Sequence, residues 1–82
     1  VTMKILRFYW EPRLGKYMND QVLTVKRETK TMLVAVDRRN PRYEYRFRKP
    51  ANPQTGMHIQ LVGKRERFSM FHYEICLESG AI

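Results

Sequence analysis

With 82 residues and 43% hydrophobic side chains, the chain is long enough for one small core and too apolar for a disordered basic tail. Sixteen Lys and Arg against eight Asp and Glu leave a formal net charge of +8 and a pI near 10.1, a field that attracts polyanions and speeds encounter with them. One cysteine, Cys76, excludes an intramolecular disulfide and a four-cysteine zinc site, and a small protein without a disulfide framework suits a reducing compartment.

Residues 3–10 are a mixed apolar run rich in aromatics and too short for a typical helix, which predicts a first strand. Pro12 and Gly15 break it, because proline has no ladder donor and glycine allows a turn, and residues 17–20 are expected as loop. A second strand is predicted over 22–27. A polar connection at 28–30 then leads to a third strand over 31–36, apolar on both faces as a central strand is. Residues 37–41, Asp-Arg-Arg-Asn-Pro, form a turn signal with two exposed arginines.

The segment that follows, residues 42–49, alternates aromatic and charged side chains with period two. Tyr43, Tyr45 and Phe47 therefore share one strand face, expected as core, and Arg42, Glu44, Arg46 and Arg48 share the other. Residues 50–56 are a polar loop, and 57–62 alternate again with Met57, Ile59 and Leu61 inward. Residues 63–66 turn the chain. The last run, 67–78, places Phe71, Tyr73, Ile75 and Leu77 on one face, with a bulge expected near Ser69. Five to six short strands without a helix predict an all-β domain, either a small antiparallel β-barrel of SH3-like or OB-like form or a strongly bent sheet.

Val25, Thr29-Lys30-Thr31, Arg46-Phe47-Arg48-Lys49 and Gly56, together with Gly63, resemble a pattern of small bacteriophage proteins: a strand, Thr-Lys-Thr, a second strand, an Arg-Phe-Arg segment and a glycine-bearing loop. The resemblance spans about half of the chain. It implies a phage-type accessory protein with a small β fold, and it transfers no activity; residues 1–6 show no signal-peptide core, so the cytoplasm of a bacterial host is the expected location. The chain departs from the pattern by inserting residues 37–44 where a tight turn is usual, and residues 50–55 in place of a short loop. Loop elaboration of that kind favours a protein partner.

Arginine is the residue type that carries the functional reading. Its planar guanidinium suits paired hydrogen bonds to phosphate or carboxylate. The expected binding residues for nucleic acid or an acidic partner are Arg38, Arg39, Arg42, Arg46, Arg48, Lys49, Lys64, Arg65 and Arg67. Tyr9, Trp10 and Tyr17 flank a loop and are candidates for base stacking. His58, His72 and Cys76 lack metal-ligand spacing, so no metal or cofactor is expected. Cys76 is read as a small buried apolar side chain. The carboxylates sit beside cations, as ion pairs do, and the glycines are isolated, so neither a general acid nor a phosphate-cradling loop is indicated and no enzyme is expected. A non-enzymatic nucleic-acid-binding protein is the first expectation. An inhibitor or regulator of a host or defence nucleoprotein complex is the alternative, and an assembly subunit is the third. No run reaches the length of a membrane-spanning helix.

Overall fold

The computed structural model describes residues 2–63 and 71–79. Six antiparallel strands form one sheet: β1 (Thr2–Glu11), β2 (Lys16–Glu28), β3 (Met32–Asp37), β4 (Asn40–Arg48), β5 (His58–Ile59) and β6 (Phe71–Glu78). They lie in the order β4-β3-β2-β1-β6-β5. No helix among the described residues is long and apolar enough to cross a membrane.

The first four strands form a meander, and each turn has a local cause. Between β1 and β2 the Leu14 and Gly15 amides donate to the Glu11 carbonyl at 3.2 and 2.8 Å, and Gly15 takes the left-handed conformation, φ 63°. Between β2 and β3, Thr29 turns the chain by accepting the Met32 amide on its hydroxyl at 3.0 Å while its own amide donates to the Met32 carbonyl at 2.9 Å. Arg38 and Arg39 alone make the turn between β3 and β4, closed by the Asp37–Asn40 pair.

The expected strands exist with altered bounds. Residues 17–20, expected as loop, are the start of β2, because β1 extends far enough to pair Phe8 with Asn19, Tyr9 with Met18 and Trp10 with Tyr17. Within residues 37–44 the turn takes only two residues and leads directly into β4, which begins at Asn40. Residues 57–62 shrink to the two-residue β5 and an isolated bridge at Leu61. The bulge expected near Ser69 lies outside the described residues.

Strand parity separates two faces. The inner face gathers Ile5, Leu23, Leu33, Ala35, Phe47, Ile59, Tyr73 and Ile75 into one buried cluster. Phe47 of β4 and Tyr73 of β6 meet there with ring centroids 5.0 Å apart, although β3, β2 and β1 separate their strands in the sheet order. The sheet is thus strongly bent. It is not closed into a barrel: among the described residues its ends are joined by the one Phe47–Leu61 bridge, with the Arg48 amide donating to the Gln60 carbonyl (3.0 Å) and the Val62 amide to the Arg46 carbonyl (2.7 Å).

Of the aromatic residues of β4 expected as core, Phe47 is fully buried and Tyr45 packs against the cluster. Tyr43 is exposed, its ring set edge-on to that of Tyr45 at 4.8 Å. Cys76, expected as buried, is half-buried on the outer face opposite Lys4.

Candidate functional site

The outer face of the sheet is read from cross-strand partners, which share a face. One row runs Glu44, Val36, Thr24, Lys4, Cys76. Beside it, Arg46 pairs with Val34 and Val34 with Arg27, while Arg48 lies opposite Met32. A bulge in β2 sets the extra residue Lys26 next to Arg27, and both long cations reach Glu44, Lys26 in direct ion-pair contact and Arg27 at 3.9 Å. Val34 is only 3% exposed although it lies on this face, between Arg46 and Arg27, whose methylene stems are long enough to cover it. The Lys26 hydrogen bond, followed by the charges of Lys26, Arg27 and Arg46, holds the Glu44 carboxyl below its ordinary pKa. Three cations around one carboxylate leave the cluster positive.

The expected binding arginines are exposed and drawn together by the β3–β4 hairpin. Arg38 and Arg39 are its tip, Arg46 and Arg48 lie on the outer face of β4, and Arg42 sits where β4 loops away from β3 between the Asp37–Asn40 and Val36–Glu44 pairs. Pro41 falls in the same irregular stretch, where a missing amide breaks no ladder bond. None of these five arginines makes an ion pair among the described residues. The carboxylates are engaged elsewhere: Asp20 with Arg7, Glu28 with Lys49, Glu44 with Lys26 and Glu78 with Lys4. Asp37 accepts the Arg39 amide at 2.9 Å and the Gln21 side-chain amide at 2.6 Å, and these two bonds hold its pKa below the ordinary value.

Lys49 joins the basic region less freely, since Glu28 holds it at 3.0 Å. With Lys30 and Arg48 it lines a groove at the end of β4 that Thr31, Pro50 and Val62 complete. Lys64, Arg65 and Arg67 lie outside the described residues.

The aromatic candidates divide. Trp10 and Tyr17 are cross-strand partners on the outer face, exposed, with rings edge to face at 5.0 Å. Tyr9 has the opposite parity and is half-buried opposite Phe71, so it does not join them. Tyr17 also meets the edge of His72 at 4.6 Å, and Phe8 stacks on that imidazole at 5.2 Å. The outer face therefore carries Arg46 and Arg48 toward one end of β2 and an aromatic cluster at the other, with the hairpin tip beside the middle of β2. Nine residue steps along β2, from Tyr17 to Lys26, separate the two ends, a strand length of about 30 Å.

Lys26, Arg27 and the two histidines were not among the residues expected to act together. The bulge that turns Lys26 and Arg27 outward has no short-range signature in 22–28. His58 and His72 meet only through the β5–β6 pairing. No protein-family model, curated protein or solved structure matches this chain.

Proposed function

We propose that this protein is a non-enzymatic nucleic-acid-binding module that holds a flexible single strand along its outer sheet face, by phosphate contacts from the β3–β4 hairpin and stacking on Trp10 and Tyr17. The observation that carries the reading is the set of five exposed arginines without ion pairs, in a protein whose described carboxylates are engaged by other groups. The hairpin's own carboxylates, Asp37 and Glu44, are bonded to Gln21 and the Arg39 amide and to Lys26, which leaves the five guanidinium groups without a direct ion pair among the described residues. Guanidinium groups on a strand face match phosphates spaced along an extended backbone, and they read charge more than sequence. Aromatic rings at the far end of the same face add contacts that a duplex, with its bases stacked inside, does not offer.

The test is binding of a fluorescent mixed-sequence single strand, as DNA and as RNA, across a salt series, with the duplex alongside. Five phosphate contacts give a log–log slope of about −3.5 for a single strand. The triple variant Arg42→Ser, Arg46→Ser, Arg48→Ser should lose at least tenfold in affinity and about two from the slope while melting close to the parent, because exposed substitutions change stability little. Binding seen only at very low salt, or a triple variant that binds like the parent, overturns the reading. A triple variant that unfolds shows these arginines to be structural.

A further inference from the structure

We propose that His58, His72 and Glu74 form a three-ligand site for a zinc-class divalent ion, on the outer face where β5 meets β6. The sheet register brings the three together: His58 is the cross-strand partner of Glu74, and His72 precedes Glu74 by two residues, on the same face of β6. Nε2 of His58 lies 3.3 Å from one Glu74 carboxylate oxygen, and Nε2 of His72 lies 3.9 Å from the other. Ligand atoms from all three residues fall within 4.8 Å of one another. Bonds of about 2.0–2.1 Å in a tetrahedral site place ligand atoms roughly 3.3 Å apart, so the spacing suits an ion once side-chain rotations carry His58 out of its stack on His72 and aim both in-plane lone pairs at one centre.

Those rotations are available where they are needed. The His58 side chain is 69% exposed, whereas His72 and Glu74 are each 24% exposed. His72 is held from the β1–β2 side by the stacked Phe8 ring and by Tyr17, set edge to face with it. One imidazole is therefore fixed by packing, and its partner, stacked 4.8 Å away with planes 21° apart, is free to swing. A plain His–Glu ion pair needs one histidine; a second imidazole converging on the same carboxylate is a ligand set. Two imidazoles and one carboxylate favour zinc or its late transition-metal neighbours over magnesium and calcium, which prefer all-oxygen sites. The solvent-facing fourth position is left for water.

Such an ion would act as a staple. β5 has two residues and pairs with β6, and an ion binding His58 and both β6 ligands would add a cross-link to the hydrogen bonds that already tie residues 55–57 to β6 and 60–62 to β4. The inference stands apart from the nucleic-acid reading and uses none of its residues as ligands.

Calorimetric titration of the protein with zinc chloride, with four-coordinate cobalt(II) absorption as a second readout, tests the site. The expected result is one ion per chain with micromolar affinity, no response to magnesium, and a melting temperature raised by about 5 °C or more at saturating zinc. His58→Ala, at an exposed position, should fold, bind zinc at least tenfold more weakly and lose the thermal shift. Cys76→Ser, two residues beyond Glu74 on the same face, should bind like the parent. Absence of binding at millimolar zinc, a His58→Ala variant that binds like the parent, or binding that disappears with Cys76→Ser would each overturn the proposal.

Discussion

Asp37 ties the tip of the arginine hairpin to the middle of β2, through the Arg39 amide and the side chain of Gln21. Both bonds favour the ionised carboxylate, which is why its pKa lies below the ordinary 3.8. A carboxylate whose pKa is depressed by folding adds stability at pH values above its unfolded pKa, and that stability disappears as pH falls through the folded value. The melting temperature of the protein should therefore exceed that of Asp37→Asn at neutral pH. The gap should close as the pH is lowered past the ordinary 3.8 and the depressed group takes up its proton. Thermal melts of the pair from neutral pH downwards check it. A constant gap would mean that Asn loses packing or geometry and not charge. The same substitution tests presentation as well, since Arg38 and Arg39 lie in the turn that Asp37 closes.

Among the strands, β4 was legible and the first half of β2 was not, for a physical reason. In β4 the strict alternation that ends in Phe47-Arg48 fixes which side chains meet the core, and Arg46, Arg48 and Phe47 take the faces that parity requires. Residues 17–20 include Asn19 and Asp20, poor strand formers, and show no alternation. They are strand because β1 supplies a partner. Asp20 is the extra residue of a bulge, its carboxylate gripped by Arg7 at 2.7 and 3.0 Å, and the Asn19 amide donates to the Arg7 and Gln21 carbonyls at 3.0 and 3.1 Å. That pairing is long-range and leaves no trace in a local window, yet it is what puts Tyr17 across from Trp10. If the pair is a stacking platform, Trp10→Ala and Tyr17→Ala should each weaken single-strand binding by about 1–3 kcal/mol and leave the salt slope unchanged, because neither removes a phosphate contact. Trp10 is the chain's one tryptophan, so quenching of its emission by an oligonucleotide gives an independent reading. Unchanged affinity in both variants would confine binding to the basic end.

At the scale of the whole molecule, the same limit applies: sequence periodicity shows which residues turn inward but not which distant strands meet. The arginines of β4 could be assigned from one strand alone. The cluster of His58, His72 and Glu74 could not, because it depends on β5 returning to β6, and the joining of the two sheet ends depends on residues 60–62 returning to β4. Phe47 stands where that return is made. Its backbone bridges Leu61, its ring packs on Tyr73, and it is fully buried in a cluster drawn from both ends of the sheet. Phe47→Ala should therefore cost more than a single local contact: roughly 3–5 kcal/mol for a buried Phe, in a chain of this length whose total stability is about 4–12 kcal/mol. Chemical denaturation should show a midpoint shifted to much lower denaturant or a chain already unfolded in buffer, whereas Tyr43→Ala, exposed on the same side of β4, should shift it little. Similar midpoints for the two variants would place the stability of the fold in the β1–β2–β3 meander and make the meeting of β4 with β6 incidental to it.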